Sequence, residues 1–205
     1  MMKAKRDIDR LVSDAQTNIA PPVAGARANA ELPRLARQTV ETFVRERWII
    51  APPTVSEESP LRQPAACFVS IKTEHGDLRG CIGTIEPTYP SLGEELIANA
   101  VSAATHDPRF LPVTAAELPH LRFSVDVLSA PEPARLEDLD PSIYGVIVTD
   151  EAGRQRGLLL PAIEGVETVG QQVAIAARKA GLRPDAALKL YRFRVKRFSE
   201  QPETA

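Results

Sequence analysis

One stretch, Ala66 to Ile85, constrains the fold more than any other: ACFVSIKTEHGDLRGCIGTI. Two β-prone runs flank the polar segment Glu74 to Asp77, the pattern of an antiparallel hairpin. If Thr73 faces Leu78, then Cys67, Val69 and Ile71 share the core face with Leu78, Gly80 and Ile82. Phe68 and Ser70 then share the opposite face with Arg79, Cys81 and Gly83. Cys81 therefore points away from the apolar side of its own hairpin.

The segments around the hairpin alternate irregularly between helix and strand patterns. Leu35, Thr39 and Phe43, beside Val40, Val44 and Trp48, predict an amphipathic helix that runs to the pair Pro52–Pro53. Ser91 with Glu94 is a capping-box signature for a second helix through about Thr105, which Pro108 stops. Leu121 to Val127 alternates as a half-buried strand, and Ile143–Thr149 with Gly157–Leu160 predicts a second hairpin. Thr168 and Gln171 cap a third helix that ends before Gly181, and one last strand runs from about Leu190 to Phe198. Roughly six strands and three main helices without a βαβ rhythm predict an α+β fold, a mostly antiparallel sheet flanked by helices. No internal repeat stands out, although a hairpin-helix-strand arrangement is able to conceal one.

With 43% hydrophobic residues in 205, the chain has enough apolar surface for a sizeable core. The Ala/Pro-rich start predicts a flexible leader over residues 1–30, with Ile8, Leu11 and Val12 available as a short docking helix. A single domain over 31–200 and a tail over 201–205 complete the division. The formal charge of −2 gives no broad positive field, so nucleic acid is not an expected partner. No apolar run is long enough for a membrane span, and the N-terminus lacks a signal-type apolar region, so cytoplasm is the expected compartment. Two cysteines supply neither a disulfide framework nor a zinc site, and no metal or cofactor is expected.

Chemistry concentrates in two segments. In LRGCIG, Gly80 and Gly83 weaken a strand and uncover Cys81, which calls for a bulge or a close approach by a ligand or another backbone. Arg79 lies beside the thiol as an anion clamp. In HDPRF, His106 stands where a helix breaks and supplies a base matched to neutral pH. Asp107 is placed to orient the imidazole, and Arg109 to grip a carboxylate or phosphate. Each residue also has a purely structural role open to it: Cys81 as a buried small side chain, His106 as a helix cap, Asp107 and Arg109 as turn fasteners.

Taken in order, FVSIKTEHGDLRGCIGTIEP, ANAVSAATHDPRFLPVTAAELPHLRFSVDVLSAPEP, YGVIV, GLLLP and AARKAGL…LYRFRV resemble the AMMECR family over about Leu35 to Phe198. The resemblance implies an α+β fold with a larger antiparallel-sheet region and a smaller subdomain, and LRGCIG near a cleft. It also implies association with a Memo-like protein and a radical-SAM protein, as protein A of an AmmeMemoRadiSam system, but it transfers no settled activity. Against that background, the leading expectation is cysteine-dependent small-molecule chemistry. Cys81 would be the nucleophile, His106 and Asp107 its catalytic partners, and Arg79, Gly80, Gly83 and Arg109 the substrate contacts. The alternative is a non-enzymatic component that binds a small molecule or protein in the same place.

Overall fold

Apolar residues at three- and four-residue spacing give the first helix its buried stripe. Leu32, Leu35, Ala36, Val40 and Phe43 are all buried along α1 (Ala28–Glu46). The computed structural model describes residues 28–183 and 187–200, with side chains from residue 31 onward. The expected docking residues Ile8, Leu11 and Val12 and the tail 201–205 lie outside the described residues, whereas residues 28–30 already belong to α1. The helix stops earlier than the proline pair predicts, because Arg47 takes a left-handed backbone at φ 58°. Trp48 is accordingly not helical, yet it still packs against the core that α1 covers.

The first hairpin forms from β1 (Cys67–Thr73) and β2 (Leu78–Gly83). Phe68 pairs with Gly83, Val69 with Ile82, Ser70 with Cys81 and Ile71 with Gly80, the predicted register. The register then slips, and Lys72 pairs with Leu78, so Arg79 is the extra residue of a bulge. Leu78 is thereby turned off the predicted core face and stands 38% exposed. Behind the hairpin runs α2 (Leu92–Thr105), started by Ser91, whose Oγ accepts from the Glu94 N–H. It lies so close that a side chain on Gly80 would meet the Ala103 carbonyl oxygen at 2.2 Å. The bulge and the close backbone approach expected of a glycine here are thus both present.

The remaining strands are β3 (Leu121–Leu128), β4 (Glu132–Ala134), β5 (Gly145–Thr149), β6 (Arg156–Leu159), β7 (Lys189–Phe193) and β8 (Val195–Ser199), with α3 (Val169–Lys179) between β6 and β7. They form two four-stranded sheets, ordered β2-β1-β3-β8 and β4-β7-β5-β6, with β1–β2, β1–β3, β4–β7, β5–β6 and β5–β7 all paired antiparallel. Two corrections to the sequence reading follow. The short strand β4 was not foreseen, and the predicted final strand is two strands broken at Arg194, each serving a different sheet. Contacts divide the described residues into two compact units, 28–127 with 197–200, and 128–196. Each unit has its own hydrophobic cluster, one around Val69, Leu96 and Phe123, the other around Val146, Val148 and Ala176.

The two units repeat one motif. Hairpin β1–β2, helix α2 and strand β3 match hairpin β5–β6, helix α3 and strand β7 in order, and both place the first hairpin strand centrally. Ser91-Leu-Gly-Glu-Glu-Leu opens one helix and Thr168-Val-Gly-Gln-Gln-Val the other, each with its hydroxyl capping the N–H three residues on. Glu95 and Gln172, at the same place in the motif, are both fully buried. The glycine of Arg79-Gly80 has its counterpart in Arg156-Gly157, where a side chain would meet the Ala176 carbonyl at 2.1 Å. This is the pseudo-symmetry that a hairpin-helix-strand order is able to hide from a sequence comparison.

Candidate functional site

Strand alternation fixes what surrounds Cys81. Ser70 pairs with Cys81 on one side and with Ser124 on the other, so a thiol and two hydroxyls form one row across β2, β1 and β3. The row lies on the face opposite Val69 and Ile71, which are fully buried. Cys81 is half-buried, and Ser70 Oγ donates to its sulfur at 3.2 Å. Burial pushes the Cys81 thiol above its ordinary pKa, against the smaller downward pulls of the Ser70 hydroxyl and the Arg109 charge. Cys67, on the core face, is sealed, and burial pushes it up to about 12.

Asp107 fastens the helix break to this row. Its carboxylate, only 2% exposed, accepts the Cys81 N–H at 2.8 Å through Oδ2. Arg109 closes the ring, donating from Nε to Oδ1 at 2.9 Å and from Nη2 to Oδ2 at 2.7 Å. A further contact runs from Arg109 Nη2 to the Cys81 carbonyl at 3.4 Å. The Arg109 guanidinium holds Asp107 down to about 2, with the two backbone N–H donors assisting, so this carboxylate stays charged at neutral pH.

His106 caps the C-terminus of α2, with its N–H on the Ser102 carbonyl. Its side chain is exposed, and Nδ1 bonds the Thr105 hydroxyl at 2.6 Å rather than the sulfur. Arg79, lifted out by the bulge, donates from Nε to Glu117 Oε1 at 2.6 Å, and its guanidinium lies 5.9 Å from the Phe110 ring centroid. This contact holds Glu117 down to about 2. Gly83 makes room for the Phe68 ring, which a side chain there would meet at 2.3 Å. The structure thus brings Cys81, Asp107 and Arg109 together directly, and gives Arg79, His106, Gly80 and Gly83 separate partners.

Several residues escaped the sequence reading. Ser70 was assigned to the right face but given no role, and Ser124 follows from the alternation of β3. Asp126, 4% exposed, lies on the same face of β3, bound side-on by Arg197 through Nε at 2.7 Å and Nη2 at 2.8 Å. Glu95 is buried under the loop after β2, accepting from the Thr84 hydroxyl and the Thr88 and Tyr89 N–H groups. Among the described residues, no group of three or more His, Cys, Asp or Glu side chains is gathered to hold a metal ion. No helix among them is long and apolar enough to cross a membrane.

Comparison with known proteins agrees with the architecture. The AMMECR1 family model matches residues 33–201. A Thermotoga maritima protein is 47% identical over 165 residues, covering 80% of this chain and 94% of its own length. A longer Clostridium acetobutylicum protein is 51% identical over 133 residues, which cover 65% of this chain and 28% of that protein. The crystal structure of an uncharacterized protein from Pyrococcus horikoshii superposes with a TM-score of 0.74 at 32% identity, over 85% of this chain and 92% of that one. With the motif set, the fold and the match across residues 33–201 in agreement, the chain belongs to the AMMECR1 family.

Proposed function

We propose that the chain is a ligand-binding component whose site is the row Cys81, Ser70 and Ser124 together with Arg109, and that the thiol acts there as a protonated contact. One observation carries the reading. The second unit builds the same motif with Leu158 and Ile147 where the first has Cys81 and Ser70, and both are buried at 6% and 1% exposure. The architecture therefore accepts apolar side chains at those positions, which supports a role for the polar row of the first unit beyond folding. Two further facts favour binding over catalysis: burial raises the thiol, and the His106 ring bonds the Thr105 hydroxyl through Nδ1.

The cysteine-dependent reading retains one support, since Ser70 and Arg109 both favour the thiolate and a ligand that rearranged the row would strengthen them. Association with a Memo-like and a radical-SAM protein, and a cytoplasmic location, enter as parts of the same proposal. The test is incubation with a defined mixture of small carboxylates, phosphates and neutral metabolites, followed by NMR of the mixture and mass spectrometry of the protein. Retention of a subset unchanged, with binding weakened but not abolished in Cys81→Ala, is the expected result. Turnover or a covalent adduct that disappears in Cys81→Ala would overturn it in favour of nucleophilic chemistry.

A further inference from the structure

Resting on that reading, we propose that the ligand is a small dianion, a dicarboxylate or a diphosphate, clamped between Arg109 and Arg197 across the Cys81-Ser70-Ser124 row. The two arginines are built alike. Each is bound side-on by a buried carboxylate, Asp107 for Arg109 and Asp126 for Arg197, through Nε and Nη2. That grip fixes the guanidinium plane through Nε and Nη2 and leaves the Nη1 edge of each without a hydrogen-bond partner among the described residues. Their side chains remain 54% and 57% exposed, although the carboxylates beneath are only 2% and 6% exposed. An arginine held this way has already lost much of its side-chain freedom, which lowers the cost of gripping an anion.

Position supports the pair. Arg109 reaches the carbonyl of Cys81 on β2, and Arg197 reaches Asp126 on β3, with β1 lying between. Asp126 pairs with Phe68, two residues along β3 from Ser124, so two strand spacings of ~4.8 Å and that offset put the two anchor points roughly 12 Å apart. That gap suits an acid group on each arginine with a short linker between, and it is too wide for one carboxylate to bridge. The linker would cross β1 between Ser70 and Phe68, where the Ser70 hydroxyl offers a polar contact to it. Lys72 and Arg122, paired on the same face one row further along, add positive charge without a carboxylate of their own on that row.

The experiment follows the Cys81 amide in ¹H–¹⁵N spectra of the full chain during titration with succinate, pyrophosphate and acetate. Succinate or pyrophosphate is expected to shift that amide and to bind at least tenfold more tightly than acetate. The better of the two distinguishes a dicarboxylate from a phosphate ligand. Arg197→Gln should reduce the dianion to the affinity of acetate. Because that change leaves Asp126 buried and unpaired, Arg197→Gln with Asp126→Asn provides the same test with an amide pair in place of the ion pair. Equal affinity for acetate and dianions, or dianion binding unchanged in both Arg197 variants but lost in Arg109→Gln, overturns the clamp and leaves the Cys81 site standing. An amide unmoved by all three anions also overturns the clamp, and the metabolite mixture, which includes neutral ligands, then decides the broader reading separately.

Discussion

The backbone N–H of Cys81 donates to Asp107 at 2.8 Å across a separation of 26 residues, tying the middle of β2 to the end of α2. Because the same carboxylate also carries Arg109, one buried group sets both the strand and the guanidinium beside it. Asp107→Ala would leave the Cys81 N–H without its acceptor and release Arg109 to solvent. The expected loss is about 1–3 kcal/mol, the usual cost of a buried donor left unpaired. Urea denaturation of the variant against the parent measures it, and a change below about 0.5 kcal/mol would mean that water replaces the carboxylate.

Acid stability follows from the same carboxylate and from Glu117. Asp107 is held from 3.8 down to about 2 by Arg109, and Glu117 from 4.5 down to about 2 by Arg79. A folded-state pKa below the unfolded one means that the unfolded chain binds protons first as pH falls. Both groups therefore contribute their full stabilisation above about pH 4.5 and lose it progressively as the pH falls to about 2. The melting temperature should decline through that window, and Glu117→Gln should decline less steeply from a lower starting point. A parallel decline in parent and variant would remove Glu117 from the account.

Much of the fold was legible because strand alternation and helix caps act locally. The Ser70–Cys81 pairing, the caps at Ser91 and Thr168 and the turn at Gly181 all followed from residue types. The misses share a different cause. The bulge at Arg79, the early end of α1 at Arg47 and the break at Arg194 depend on tertiary packing that no local pattern records. The site divided in the same way. Cys81 and Asp107 were singled out, but their direct contact was not foreseen, and Asp126 and Arg197 were missed because their pairing spans 71 residues.

Gly80 and Gly170 provide a matched contrast. A methyl group at Gly80 would sit 2.2 Å from the Ala103 carbonyl oxygen, which belongs to the backbone of α2 and has little room to yield. Gly80→Ala should therefore destabilise the chain by about 1–3 kcal/mol through overpacking. Gly170, in the first turn of α3, has nothing within 4 Å of the same added atom. Gly170→Ala should be neutral or stabilising by up to about 1 kcal/mol, since alanine loses less backbone entropy in a helix. Denaturant midpoints of the two variants, moving in opposite directions, are the expected outcome.

The reactivity of Cys81 is set by opposing influences of known sign. Burial raises the thiol above its ordinary pKa, while the Ser70 hydroxyl and the Arg109 guanidinium partly offset that rise. Iodoacetamide should therefore alkylate native Cys81 more slowly at pH 7 than it does a free thiol, with the rate still climbing through pH 9. Ser70→Ala removes the hydroxyl donor, so the inflection of the pH–rate profile should move further up. Arg109→Gln should move it in the same direction, because it removes a positive charge that favours the thiolate. Cys67, pushed up to about 12 by burial, should remain unlabelled until the chain unfolds, which lets peptide mapping assign the native signal to Cys81 alone. An inflection below pH 8 in the parent would show that burial is not the dominant influence on the sulfur. It would also return the thiolate, and with it nucleophilic chemistry, to the centre of the site.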